Sequence, residues 1–258
     1  MDPALVHHLS HDAQELARKR EELTLLQAEL VVQELYLATL QAELAAFEGR
    51  YLRAVGVLFA ELDDWKARLA ELRAQAESSE ESQAAAAEAR AQAKESYAAA
   101  HGRAAEVAEF APSPELKTFF REVVRQIHPD YASDDADSRL RNRLMADANL
   151  AYRRHDEAAL RRILDEYRSS PESVKGDGTE ADLKRILLQI DKITERLVQI
   201  EAEVAELNSS EIALLMAKAE EARAKGRDLL AEMAKDVQHR IVIARTEVEG
   251  LCSEVKTR

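Results

Sequence analysis

The sequence is poor in the residues that build sheets, disulfides and turns. Aromatic residues make up 5% of its 258 residues, and it has seven glycines, five prolines and one cysteine. Few aromatic residues disfavour a large sheet, and a single cysteine, Cys252, excludes an intramolecular disulfide and any multi-cysteine metal site. Alanine, leucine, glutamate and arginine predominate, which is typical of long helices. We therefore expect an all-α protein.

Signals for export and membrane insertion are also lacking. The N-terminus has no basic segment followed by an apolar stretch, and no run approaches the roughly 18 consecutive apolar residues of a membrane-spanning helix. We expect a cytoplasmic protein without a membrane span. His7, His8 and His11 lie close together, but no carboxylate or cysteine convincingly completes a metal site beside them. We expect neither a metal nor a cofactor.

The net charge of −13 is unevenly distributed. Residues 113–168 contain eleven Lys or Arg and eleven Asp or Glu, so the flanking stretches carry all of the excess negative charge. Nucleic-acid binding depends on neutralising phosphates. The arginine-rich stretch at residues 137–154 has acids interleaved with its bases and no platform of aromatic residues for stacking. We expect no nucleic-acid partner.

Apolar residues repeat every seven positions on both sides of this neutral segment. The repeat occupies nine consecutive positions from residue 16 to residue 72, while a companion phase drifts by one residue at Ala54 and Val55. A second series alternates by three and four from Leu183 to Leu207. Such sustained periods predict left-handed coiled coils. The first series consists of Leu16, Leu23, Leu30, Leu37, Leu44, Tyr51, Leu58, Trp65 and Leu72.

Three segments follow from these patterns. We predict a coiled-coil or helical arm at residues 12–111, a compact helical module at 112–170, and a second coiled-coil arm at 177–258. Two arms that flank one module suggest intramolecular pairing, antiparallel, with the module at the tip. The alternative is that the arms dimerise with a second copy or pair with another coiled-coil protein. Heptads alone do not decide between these geometries.

The central segment predicts three short helices, over residues 115–127, about 137–153 and 156–167. Pro129 cannot continue the first helix and restricts His128, so the chain must turn there. The first two helices have apolar faces that should pack against each other, and a basic stripe recurs every four residues along the first. The predicted core is Leu116, Phe120, Val123, Ile127, Leu144, Ala148, Asn149 and Tyr152, and the stripe is Lys117, Arg121 and Arg125.

Three short motifs give the segment a resemblance to a known family. Phe119-Phe120-Arg121, His128-Pro129-Asp130 and Asn149-Leu150-Ala151-Tyr152 follow one another in order. Residues 113–168, about a fifth of the chain, thereby resemble the J-domain of the DnaJ co-chaperones. In that family the tripeptide and the basic helix dock on a DnaK-type chaperone and stimulate its ATPase.

The resemblance implies roles for particular residues. His128, Pro129 and Asp130 would be the essential contact with a DnaK-type partner, and Lys117, Arg121 and Arg125 would form the electrostatic docking face. We also consider an ion pair between Asp130 and Arg121 or Arg125 that would orient the loop. The family's first helix has no counterpart before Ser113, and the chain has neither a Gly/Phe-rich linker nor a cysteine-rich zinc region.

Two functional hypotheses remain open at this point. The first is a J-domain-like co-chaperone positioned by its coiled-coil arms. The alternative is a structural coiled-coil scaffold or adaptor whose degenerate J-like module serves only for protein–protein interaction. An enzyme is not expected, because a loop between two helices gives His128 and Asp130 no concave site that excludes water.

Overall fold

A computed structural model describes residues 11–77, 79–102, 110–132, 134–168 and 179–256. All regular structure in these ranges is helical, which confirms the all-α prediction. The helices are α1 (His11–Tyr51), α2 (Val57–Glu77), α3 (Glu80–Gly102), α4 (Pro114–Ile127), α5 (Asp135–Arg153), α6 (Glu157–Arg168), α7 (Thr179–Ser209), α8 (Glu211–Ala224) and α9 (Leu229–Lys256).

The chain divides into two compact units, and each unit combines two separate stretches of sequence. The first unit comprises Met1–Ala42 and Ala111–Asn208, and the second comprises Glu43–Phe110 and Ser209–Arg258. The first unit therefore brings part of each predicted arm together with the central module. The division into segments 12–111, 112–170 and 177–258 remains a prediction.

Helices α1 and α7 pack together in the first unit through residues at heptad spacing. The fully buried residues of this seam include Leu30 and Ile193, and Tyr131 from the central module joins the same cluster. Each helix carries a continuous apolar stripe, and packing the helices together removes both stripes from water. This burial is the main stabilising contribution to such a pair. The buried members are Leu16, Leu23, Leu30, Leu37, Tyr131, Ile186, Ile190, Ile193 and Ile200.

The two helices of this pair run in the same direction. Arg20 contacts Asp182, and Glu34 contacts Arg196 further along, so both partners advance together by two heptads. The expected antiparallel direction is therefore wrong for α1 and α7.

The second unit packs α2 against α3 and α9. Arg90 of α3 donates to Asp64 and Glu71 of α2, and Ser96 donates to Asp63, so α2 and α3 are antiparallel. A π-helical turn at Leu52–Gly56 joins α1 to α2. A π turn accommodates one extra residue in a helix, which accounts for the one-residue drift of the heptad phase at this point. Val55 and Leu62 are accordingly buried against Val237 and Ile241 of α9.

Capping residues fix the ends of the three short helices in the central module. The Ser113 hydroxyl accepts from the Leu116 N–H at 3.1 Å, and Pro114 occupies the first turn of α4. Asp134 accepts from two amides at the start of α5, and Asp156 accepts from the Ala159 N–H at the start of α6. Each cap satisfies helix N–H groups that lack intrahelical partners. The observed spans lie within two residues of those expected from the sequence.

The helical stretch at residues 14–77 is long and apolar enough to cross a membrane by length and composition alone. Packed core helices pass the same test, and α1 packs its heptad leucines against α7. Gly176 and Gly178, which precede α7 in the sequence, lie outside the described residues. So do His7 and His8, and the side chains of His11 and Thr179.

The α1–α7 seam gives a first testable prediction. Ile193→Ala should lower the free energy of unfolding by about 2–5 kcal/mol, because it leaves a cavity among fully buried neighbours. Val198→Ala is the matched control, since Val198 lies on the same helix and is 62% exposed; it should change stability by no more than about 0.5 kcal/mol. Chemical denaturation followed by circular dichroism measures both. Equal effects from the two variants would contradict the seam.

Candidate functional site

The His-Pro-Asp tripeptide forms the turn between α4 and α5. Helix α4 ends at Ile127, His128 leaves the helical conformation with ψ of 133°, and Pro129–Tyr131 form a single 3₁₀ turn. The His128 ring anchors this turn from within, because its Nδ1 accepts from the Asp130 N–H at 3.2 Å. The Phe120 and Tyr152 rings pack with centroids 4.4 Å apart, which holds the two helices together further from the turn.

The His128 side chain is buried, with 2% of the residue exposed. Its Nε2 lies 3.1 Å from Oε1 of Glu34 on α1. The same oxygen accepts from Nε of Arg196 on α7 at 2.8 Å, and Arg196 also donates to Glu203. One carboxylate oxygen therefore joins the turn, α1 and α7 within the first unit.

The hydrogen-bond pattern assigns the histidine tautomer. Nδ1 accepts the backbone N–H of Asp130, so in the neutral ring Nε2 carries the proton and donates it to Glu34. Burial raises the pKa of Glu34, but the hydrogen bonds from His128 and Arg196 outweigh burial and hold that pKa below its ordinary value. Glu34 is therefore a carboxylate at neutral pH, stabilised by two donors.

Asp130 sits at the edge of this buried cluster. Its carboxylate Oδ2 is 3.6 Å from His128 Nδ1, and burial raises the pKa of the carboxyl group above its ordinary value. Arg121, Arg125 and Asp130 all lie in the described part of the chain, and no ion pair forms between Asp130 and either arginine. The hypothesis of such an ion pair is wrong, since Asp130 faces His128 instead.

Arg141 holds the turn from the α5 side. This buried residue donates from Nη1 to the backbone carbonyls of Gln126 and His128, at 2.9 and 3.1 Å. Its Nε donates to Asp137 at 2.7 Å, and Nη2 donates to the Tyr167 hydroxyl on α6. A guanidinium has five N–H donors in a fixed plane, so one side chain satisfies carbonyls at the end of α4 while it also contacts α6. The sequence interpretation did not identify Arg141.

The predicted docking face is only partly exposed. Lys117 and Arg121 are half-buried, while Arg125 is exposed. In the described part of the chain none of the three forms an ion pair, and Arg121 donates to the Lys117 carbonyl at 3.4 Å. Their positive charge is therefore not neutralised by a carboxylate within these residues.

The predicted core residues mostly occupy the interior of the module. Seven of the eight are buried, whereas Asn149 is half-buried and its Oδ1 has no hydrogen-bond partner in the described residues. Tyr152 also reaches α1, where its hydroxyl lies 3.1 Å from the Thr39 hydroxyl. The seven are Leu116, Phe120, Val123, Ile127, Leu144, Ala148 and Tyr152.

No protein-family model, no curated protein and no solved structure matches the chain. Among the residues that the structure describes, no group of three or more His, Cys, Asp or Glu side chains is arranged to hold a metal ion. The site is thus defined by its own geometry, as a buried polar cluster at a helix–helix turn.

Arg141 gives a second prediction. Arg141→Ala should lower the free energy of unfolding by about 3–5 kcal/mol, because it breaks a buried ion pair with Asp137 and removes the donor to the Gln126 and His128 carbonyls. Arg139→Ala, an exposed neighbour on α5, is the control and should have little effect. Urea denaturation measures both variants. A small effect of Arg141→Ala would show that the turn does not depend on this side chain.

The lowered pKa of Glu34 gives a third prediction. A carboxyl group whose pKa is depressed by folding contributes stability above its unfolded pKa, about 4.3 for glutamate, and loses it as the pH falls through the folded value. Glu34→Gln removes this contribution. The difference in unfolding free energy between wild type and Glu34→Gln should therefore be largest near pH 7 and shrink as the pH falls below about 4.3. A difference that does not vary with pH would contradict the ion pair.

Proposed function

We propose that the chain is a J-domain-like co-chaperone that docks on a DnaK-type chaperone and stimulates its ATPase. The observation that carries the proposal is the placement of His128-Pro129-Asp130 in the turn between two antiparallel helices, α4 and α5. The first of these helices carries Lys117, Arg121 and Arg125 along the length that leads to the turn. In this account α1 and α7 form the coiled coil that carries the J-like module.

The distribution of charge supports this proposal. A protein partner with an acidic surface would be attracted by the three cations of α4, which form no ion pair in the described residues. The excess negative charge lies outside residues 113–168, so the module can attract such a partner while the rest of the chain does not. The proposed role is to bind and regulate the partner, without a reaction at the tripeptide itself.

A second candidate is favoured by the burial of His128. An imidazole that is 2% exposed and bonded to Glu34 is part of the interior of the first unit. In this alternative the chain is a scaffold or adaptor, and the tripeptide attaches the module to the α1–α7 pair. The partner would then be a second copy or another coiled-coil protein.

The ATPase rate of a DnaK-type chaperone from the source organism separates the two candidates. Wild-type protein should stimulate it, and Asp130→Asn should reduce the stimulation by about tenfold or more, the effect of losing about 1.4 kcal/mol of binding. This variant removes a charge from the tripeptide and leaves the His128–Glu34 hydrogen bond in place. Asp135→Asn at the exposed start of α5 is the matched control and should stimulate normally.

Charge reversal on α4 provides a second, independent test in the same ATPase assay. Arg125→Glu should weaken stimulation most at low salt, because an exposed charge acts mainly on the rate of encounter. Arg139→Glu, an exposed position on α5, controls for net charge. No stimulation at any salt concentration, by wild-type protein or by a variant that exposes His128, would overturn the co-chaperone proposal and favour the scaffold.

A further inference from the structure

His128 and Asp130 are the groups that a protein partner of the turn would need to reach, yet His128 is covered from several sides. Glu34 of α1 bonds to its Nε2, and the Asp130 amide and carboxylate face its Nδ1. Arg196 of α7 bonds to the same Glu34 oxygen. On the α5 side, Arg141 holds the His128 carbonyl. No edge of the imidazole is left for another protein while these contacts persist.

The contact that covers His128 also joins α1 to α7. Glu34 is 4% exposed, and its Oε1 receives both the imidazole and the guanidinium. A buried carboxylate that loses one of two donors is left under-solvated. If the turn leaves α1, Glu34 loses the hydrogen bond from His128 and its pairing with Arg196 becomes less favourable. If α1 and α7 separate, Glu34 loses Arg196 and the Glu34–His128 contact becomes less favourable in turn.

Two other polar atoms of the turn are poorly satisfied in this arrangement. Asp130 Oδ2 and the Tyr131 hydroxyl are buried, and in the described part of the chain neither makes a hydrogen bond. Burying a polar atom without a partner is unfavourable. Opening of the turn would hydrate both atoms, and this gain offsets part of the loss of the His128–Glu34 contact. The closed arrangement is thus less favourable than its hydrogen bonds alone imply.

We propose that Glu34 and Arg196 form a latch that holds the His-Pro-Asp turn closed against α1 and α7, so that a protein partner binds the turn only after the latch opens. The inference rests on the proposed function for the identity of the partner, but the latch itself is a property of this chain alone. By linkage, a partner that binds the open turn must also favour release of Glu34.

Chemical labelling of histidines in the full-length protein tests the latch directly. Diethyl pyrocarbonate modifies accessible imidazoles, and peptide mass spectrometry gives a rate for each one. His155 and His239 are exposed and serve as internal references. His128 in the wild-type protein should react at least about tenfold more slowly than either, the effect expected for one buried hydrogen bond to a charged group. A rate equal to that of His239 would overturn the latch.

Glu34→Ala should raise the labelling rate of His128 by about tenfold or more and leave that of His239 unchanged. Glu29→Ala, an exposed position on the same helix, is the matched control and should leave His128 protected. If Glu34→Ala loses its helical circular dichroism, Arg196→Gln replaces it, because this variant keeps the Glu34–His128 bond. Arg196→Gln should also raise the labelling rate of His128, but by a smaller factor than Glu34→Ala. No change at His128 in a folded variant would overturn the proposal.

ATPase stimulation by the same samples separates failure of the latch from failure of the proposed function. Greater stimulation by Glu34→Ala than by wild type supports the latch and the co-chaperone role together. Faster labelling without stimulation by any variant supports the latch and overturns the co-chaperone role. If wild type and Glu34→Ala stimulate the ATPase equally and their His128 side chains are labelled at equal rates, the latch is overturned and the co-chaperone role is supported.

Discussion

A single carboxylate oxygen of Glu34 links three parts of the first unit, namely α1, α7 and the turn after α4. It accepts from His128 of the turn and from Arg196 of α7, in a place where water is excluded. A buried charge needs compensation by donors, so the position of Glu34 constrains both the pairing of α1 with α7 and the docking of the central module. The apolar seam of Leu30, Ile193 and their neighbours buries the facing sides of α1 and α7. Apolar packing has no preferred direction, so the seam alone is compatible with several alignments of α1 and α7. The Glu34 contacts require one particular register between the two helices.

Arg141 plays a corresponding role on the other side of the turn. It contacts the end of α4, the His128 carbonyl and the Tyr167 hydroxyl, so the tripeptide is held from α5 and α6 as well as from α1. Side chains from three helices of its own unit therefore fix the closed position of the turn. A function that requires a partner at His128 must include a step that frees the side chain, and a scaffold function needs no such step. This difference separates the two proposed functions physically.

Local patterns in the sequence were sufficient to predict most of the helices. The proline at position 129 and the apolar spacing of α4 are local signals, and the structure follows them. The direction of the α1–α7 pair was not predictable in this way, because a heptad stripe is compatible with either direction. Glu34, Arg141 and Arg196 were missed for a related reason. Each is a charged residue in a charged helix, and only tertiary contacts distinguish it from its exposed neighbours.

The central claim is that Glu34 and His128 interact directly and strongly. A double-mutant cycle with Glu34→Ala, His128→Ala and the double variant measures this interaction from their free energies of unfolding. The account predicts a coupling energy of about 1.5–3 kcal/mol, as for a hydrogen bond to a charged group. Additive effects, within about 0.5 kcal/mol, would contradict it.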